Sequence, residues 1–149
     1  MVTTLIGADE TPVGGAFAAA LASPGAGHPG LLVVLREGLP IRPHTVLVTR
    51  SFLANDKMAT LFEGPIQAGV AAGMMEAVGR AVVPLGGADA WRAVVNVFID
   101  PAASDPRALF DNHRAAVVAA ATMGAVNKPV PEDVLGERAN VSNRFFRPS

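Results

Sequence analysis

The stretch Phe62-Glu63-Gly64-Pro65-Ile66-Gln67 joins a strand-rich half of the chain to a helical segment, and its reading decides the fold. Proline suits the first turn of a helix, where its missing N–H is no loss. The stretch therefore predicts a central helix opening at Pro65 and running to Val82. Ile66, Val70, Met74, Ala77 and Ala81 form one apolar stripe along it at spacings of three and four. Ala68, Gly69, Ala72 and Gly73 form a second, smooth face. Such a face predicts tight packing, on the sheet or on a neighbouring subunit. Gln67 is the single glutamine of the protein. Its amide offers donors and an acceptor beside the unpaired N–H groups of a helix start, so it is expected to face a ligand cleft.

Upstream, Val2 to Ile6 reads as a short strand. Thr11-Pro12 pairs a capping threonine with a first-turn proline and opens a helix carrying Val13, Phe17, Ala20 and Leu21 on one face. Ser23 to Gly30 is a loop by its Pro and Gly content. Leu31 to Leu35 reads as one apolar strand buried on both faces, and Thr45 to Leu53 as a second strand after Pro40 and Pro43. Downstream, Pro84 to Gly87 is a turn and Trp91 to Ile99 a strand. Asp105-Pro106 repeats the cap-then-proline pattern and opens a helix with Leu109, His113, Ala116, Val117 and Ala120 on one face. From Pro129 the periodicity stops. An extended tail is expected over 129–149, with Phe145 and Phe146 docking elsewhere, for instance on a partner subunit.

Composition narrows the function. A chain of 149 residues, half of them apolar, is one domain with a real core. It has no tyrosine, one tryptophan and a net charge of −1 with scattered basic residues, so nucleic acid is not an expected partner. There is no cysteine, hence no disulfide or thiolate metal site. No signal peptide or membrane span is read, so a cytoplasmic location is expected. The three histidines, His28, His44 and His113, lack metal-ligand spacing, and no metal is expected. Asp100 ends a strand and reads as a turn residue. No Ser-His-Asp set, phosphate loop or dinucleotide signature occurs.

Several segments line up with a known family. Leu5-Ile6-Gly7 with Pro12 and Phe17, Leu31 to Val34, Leu39-Pro40, Pro43-x-Thr45, Gly64-Pro65-x-Gln67, Val97-Phe98-Ile99 and the Asn112 helix together resemble the formaldehyde-activating enzymes. The resemblance runs from about Val2 to Gly124, giving a family-like domain over 1–128 and the tail beyond. It implies an α+β fold, a single sheet with helices packed on it in a ribosomal protein S5 domain 2-like arrangement, assembled as a homopentamer. It implies condensation of formaldehyde with tetrahydromethanopterin to the methylene-bridged pterin and water, a reaction of the carbon-nitrogen lyase or hydro-lyase class, with the pterin as substrate and no tightly bound cofactor.

The same resemblance assigns a site. Leu32 and Gln67 stand where the family keeps a leucine and a glutamine against the pterin. Arg50 replaces a lysine, Phe52 a threonine and Thr3 an aspartate. Met1 falls where the family has its acid histidine, and the strand preceding it is expected to be absent. Asp100 replaces another histidine, and His113 a tyrosine. His28, just ahead of the strand bearing Leu32, is the substitute candidate for the acid. The expected protein is thus a formaldehyde-activating-enzyme-like member of one-carbon metabolism, a degenerate paralogue binding a pterin-type carrier. The alternative is an active condensing enzyme.

Overall fold

A computed structural model describes residues 1–23, 25–83, 87–142 and 147. The chain is α+β. Its main sheet has four strands in the order β1-β6-β5-β2: β1 (Val2–Ala8), β2 (Gly30–Leu32), β5 (His44–Thr49) and β6 (Trp91–Val97). β1 and β6 are antiparallel, β5 and β6 parallel, and β2 and β5 antiparallel. β3 (Val34–Arg36) and β4 (Leu39–Pro40) form a separate small ribbon.

The expected doubly buried strand Leu31 to Leu35 is divided instead. Val33 breaks it, donating its N–H to Thr45 O at 2.8 Å and accepting from Ile41 N at 3.2 Å, and so ties the ribbon to the sheet. Val33 is fully buried, but Leu32 and Leu35 are exposed, because β2 is an edge strand. The strand from Thr45 ends at Thr49 and not at Leu53.

The helix α1 (Pro12–Ala22) begins as expected, with Thr11 Oγ1 accepting from Val13 N at 3.3 Å. The α4 helix (Pro106–Ala125) is likewise capped, Asp105 accepting from Arg107 N and Ala108 N. The central helix departs from expectation. It starts at α2 (Asp56–Leu61), where Asn55 Oδ1 caps Met58 N at 3.0 Å. It passes through one wide π turn, Phe62–Ile66, into α3 (Gln67–Gly79). Pro65 is therefore inside a helix. The widened turn, in which Gln67 N–H reaches back to Phe62 O, relieves the clash that a proline ring makes in a regular α-helix. The tail is not uniformly extended: Pro131–Gly136 forms a short helix, α5, with Asp133 bonded to Val130 N and Lys128 Nζ. Phe145 and Phe146, and the turn at Pro84 to Gly86, lie outside the described residues.

The core lies between the sheet and the α3–α4 pair. Phe62, Ile66, Val70 and Met74 meet Leu47, Val95, Val97 and Val117 there, all fully buried. The smooth face of α3 turns to α4 of the same chain. A Cβ on Gly69 would stand 2.5 Å from Phe110 O, and one on Gly73 2.6 Å from Arg114 O. We expect Gly69→Ala and Gly73→Ala each to lose about 1–3 kcal/mol in urea titration, since backbone cannot yield as a side chain does. Gly79→Ala, which meets nothing within 4 Å, serves as the neutral or stabilised comparison.

Candidate functional site

The open parts of the sheet lie on the face away from α3 and α4. α1 packs there against β6, β5 and β2. It starts over Gly7, where a Cβ would touch Thr11 and Val13, and ends near Gly30, which lies against Ala20 O. One corner, at the start of β1 and the ends of β5 and β6, is left uncovered. Thr3 is exposed there, opposite Asn96, which in turn pairs with Val48.

A polar clasp shapes the end of β5. Ser51 is buried; its Oγ donates to Ile99 O at 2.8 Å and accepts from Ile99 N at 2.7 Å. Thr49 Oγ1 accepts from Ser51 N at 3.0 Å. With Ser51 held inward, its neighbours Arg50 and Phe52 stand outward, Phe52 being 59% exposed. The glycine loop closes on this turn. Gly27, at φ +71°, leaves room for the Phe52 ring, which a Cβ would meet at 2.1 Å. Leu53 N donates to Gly27 O at 2.9 Å. His28 Nδ1–H donates to Thr49 O at 3.1 Å, and its ring meets the Phe52 ring edge-on, centroids 5.9 Å apart. A carbonyl can only accept, so that bond assigns the proton to Nδ1.

The structure thus gathers His28, Arg50 and Phe52 at one sheet end, on which Thr3 also borders. It does not bring Leu32 and Gln67 into that group. β2 leads away from His28, so Leu32 lies opposite Val46, and Val34 follows. Gln67 is 8% exposed, and its Nε2 donates to Val34 O at 2.7 Å. Its expected place in an open cleft is corrected: the amide anchors α3 to β3. Sequence reading missed Ser51 and Asn96, whose only advance signal was a hydroxyl and an amide beside apolar strand residues.

The other histidines belong elsewhere. His113 is buried on α4, and burial pushes its pKa down, partly offset by Nδ1–H donation to Leu109 O at 2.7 Å. His44 is also lowered, by burial and then by the Arg42 and Arg92 charges. Among the described residues no three His, Asp or Glu groups converge on a metal-sized site. No described helix is long and apolar enough to cross a membrane. A cavity of about 510 Å³ between β1, Trp91 and the end of α4 includes none of the expected site residues.

Comparison with known proteins gives the family. The formaldehyde-activating enzyme (Fae) family profile matches residues 1–146. The chain belongs to this family. It is 35% identical over 147 residues to a bifunctional enzyme Fae/Hps of Archaeoglobus fulgidus, covering 99% of this chain and 36% of that protein. It is 31% identical over 144 residues to the 5,6,7,8-tetrahydromethanopterin hydro-lyase of Methanosarcina barkeri, covering 97% of this chain and 81% of that one. The chain thus spans about a third of the length of the bifunctional relatives it matches. The family match runs well past 128, through α5.

The two lowered histidines fix a pH dependence. Both are held neutral in the folded state, while the unfolded chain takes up protons near the ordinary value of 6.5. Stability is then full above that value and falls as pH drops through it toward the folded values. We expect Tm to decline between about pH 7 and 5, and the decline to be shallower in His113→Leu, measured by thermal melts in matched buffers.

Proposed function

We propose that the chain binds a tetrahydropterin one-carbon carrier and formaldehyde at the sheet end that carries His28, Arg50 and Phe52, and condenses them slowly. The observation that carries this reading is the Ser51 clasp. It turns outward the two neighbours, Arg50 and Phe52, that the family resemblance assigns to the pterin. The name of the Methanosarcina relative supports tetrahydromethanopterin as the carrier.

The reaction sets the demands on the site. A pterin amine attacks the formaldehyde carbon, and its proton passes to the oxygen. The resulting carbinolamine loses its hydroxyl with a second proton, as water. The remaining iminium is closed by the neighbouring pterin nitrogen, which sheds a proton. The slow step asks for an acid at the departing hydroxyl. Arg50 stabilises a developing negative oxygen but holds its protons at any working pH. Thr3, where the family resemblance has an aspartate, carries no charge. This favours a binding role with residual condensation. A second reading, an active enzyme with His28 as the displaced acid, is favoured by the place of His28 beside Phe52.

Exposed Leu32 lies apart from this corner in one chain, which fits a site completed by a second copy. We propose a homo-oligomer, a ring of five as in the family resemblance, acting in the cytoplasm. Sedimentation showing a stable monomer at micromolar concentration overturns the shared site.

Formaldehyde consumption with tetrahydromethanopterin, beside calorimetry of pterin binding, tests the whole reading. Arg50→Ala is expected to weaken binding by about 1.5–3 kcal/mol with Tm unchanged. Gln67→Ala also removes a buried bond to Val34 O, so its affinity is read together with its Tm. Condensation is expected near the spontaneous rate, since losing a general acid removes about 10²–10⁴-fold. Fast wild-type turnover that His28→Ala abolishes without unfolding establishes the second reading instead.

A further inference from the structure

Asn96 lies on the sheet face that carries α1, beside the uncovered corner, and holds a buried acceptor that the fold leaves unpaired. Its Oδ1 is shut from solvent and has no hydrogen-bond partner. The rest of the residue is partly exposed, between exposed Thr3 and part-buried Val48. The other such atom, Thr4 Oγ1, sits on the opposite face of β1, toward the 510 Å³ cavity. An unpaired buried acceptor destabilises the native state, and Asn96 interrupts the apolar run Ala93, Val94, Val95 and Val97 at the end of β6. A valine would fit position 96 by propensity, yet an amide is there.

We propose that Asn96 is a ligand-positioning residue: its Oδ1 accepts a hydrogen bond from a ring N–H or amino group of the bound tetrahydropterin. The inference rests on the pterin reading above. Three observations converge on it. The residue lies on the sheet face that carries Thr3, one register step from the row where Arg50 N donates to Val97 O and Phe98 N to Met1 O. Its terminal torsion is broad, so a rotation turns the oxygen to the surface without moving the strand. Reduced pterins carry several N–H donors along one edge, and an amide oxygen accepts from such donors, whereas Arg50 is itself only a donor.

The role predicts opposite signs for affinity and stability. Asn96→Val removes the unpaired amide and adds a strand-favouring side chain. Its Tm should rise by about 2–6 °C while tetrahydromethanopterin binding weakens about tenfold by calorimetry. Asn96→Ala, which keeps the strand without added bulk, should weaken binding to a similar degree and so guards against a steric effect of valine. Variant affinities within about twofold of wild type overturn the assignment. A lower Tm for Asn96→Val also overturns it, because it would mean that the amide is held by the fold. Wild type that fails to bind tetrahydromethanopterin removes the pterin reading itself, and this assignment with it; that outcome is distinguished by the wild-type titration alone.

Discussion

The backbone contact between α3 and α4 is the constraint on which the other features depend. Gly69 and Gly73 sit one helical turn apart and face the carbonyls of Phe110 and Arg114, so nothing larger than hydrogen fits between the helices. Close approach lets the pair act as one slab over the sheet, with Val70 and Met74 inward and Val117 beside them. It also brings Glu76 to Arg114 at 2.7 Å, with Arg80 on its other side, closing the outer edge of the seam. The slab covers most of one face of the sheet and leaves a cavity of about 510 Å³ between β1 and the end of α4. α1 covers much of the opposite face. The corner bordered by Thr3, Asn96 and Arg50 is what the packing leaves open there.

The turn after β5 that borders this corner is held by inward pairing of Ser51 and Thr49. Ser51 and Thr49 exchange bonds with each other and with Ile99, which pins a turn that would otherwise be a free loop after β5. The outward residues on either side then have directions set by a buried neighbour. His28 is fixed by the same turn through Thr49 O, and Phe52 by the space above Gly27. A surface held in this way is ordered by its own bonds.

Local grammar in the sequence carried far, and stopped where tertiary contacts choose. Thr11-Pro12 and Asp105-Pro106 start helices because cap and proline act within four residues, and both appear as read. The same rule failed at Pro65, because a proline tolerated by a π turn carries the same letters as a proline that opens a helix. Asn55, with Met58, Leu61, Phe62 and Ile66 behind it, held the true start. Leu31 to Leu35 looked buried on both faces because it is wholly apolar; edge position and the inward pull on Val33 are not written in composition. The family resemblance named Arg50, Phe52, Leu32 and Gln67 together. Only coordinates separate the first two from the last two, because helix periodicity says that Gln67 lies beside an apolar stripe but not that Val34 O waits there.

The separation bears on the chemistry. A proton donor for the carbinolamine must sit where the departing oxygen sits, and at this corner the inventory is short. A guanidinium does not yield its proton and a threonine hydroxyl is too weak, so imidazole is the only side chain of the three that exchanges protons near neutrality. The Thr49 carbonyl decides which nitrogen does so: it accepts from Nδ1, and a carbonyl has no proton to return, so Nε2 must both take and give. In that geometry Phe52 limits the approach to His28 from one side. Whether the family's acid has been replaced or simply lost is therefore decided by access to one nitrogen and not by the number of histidines in the chain.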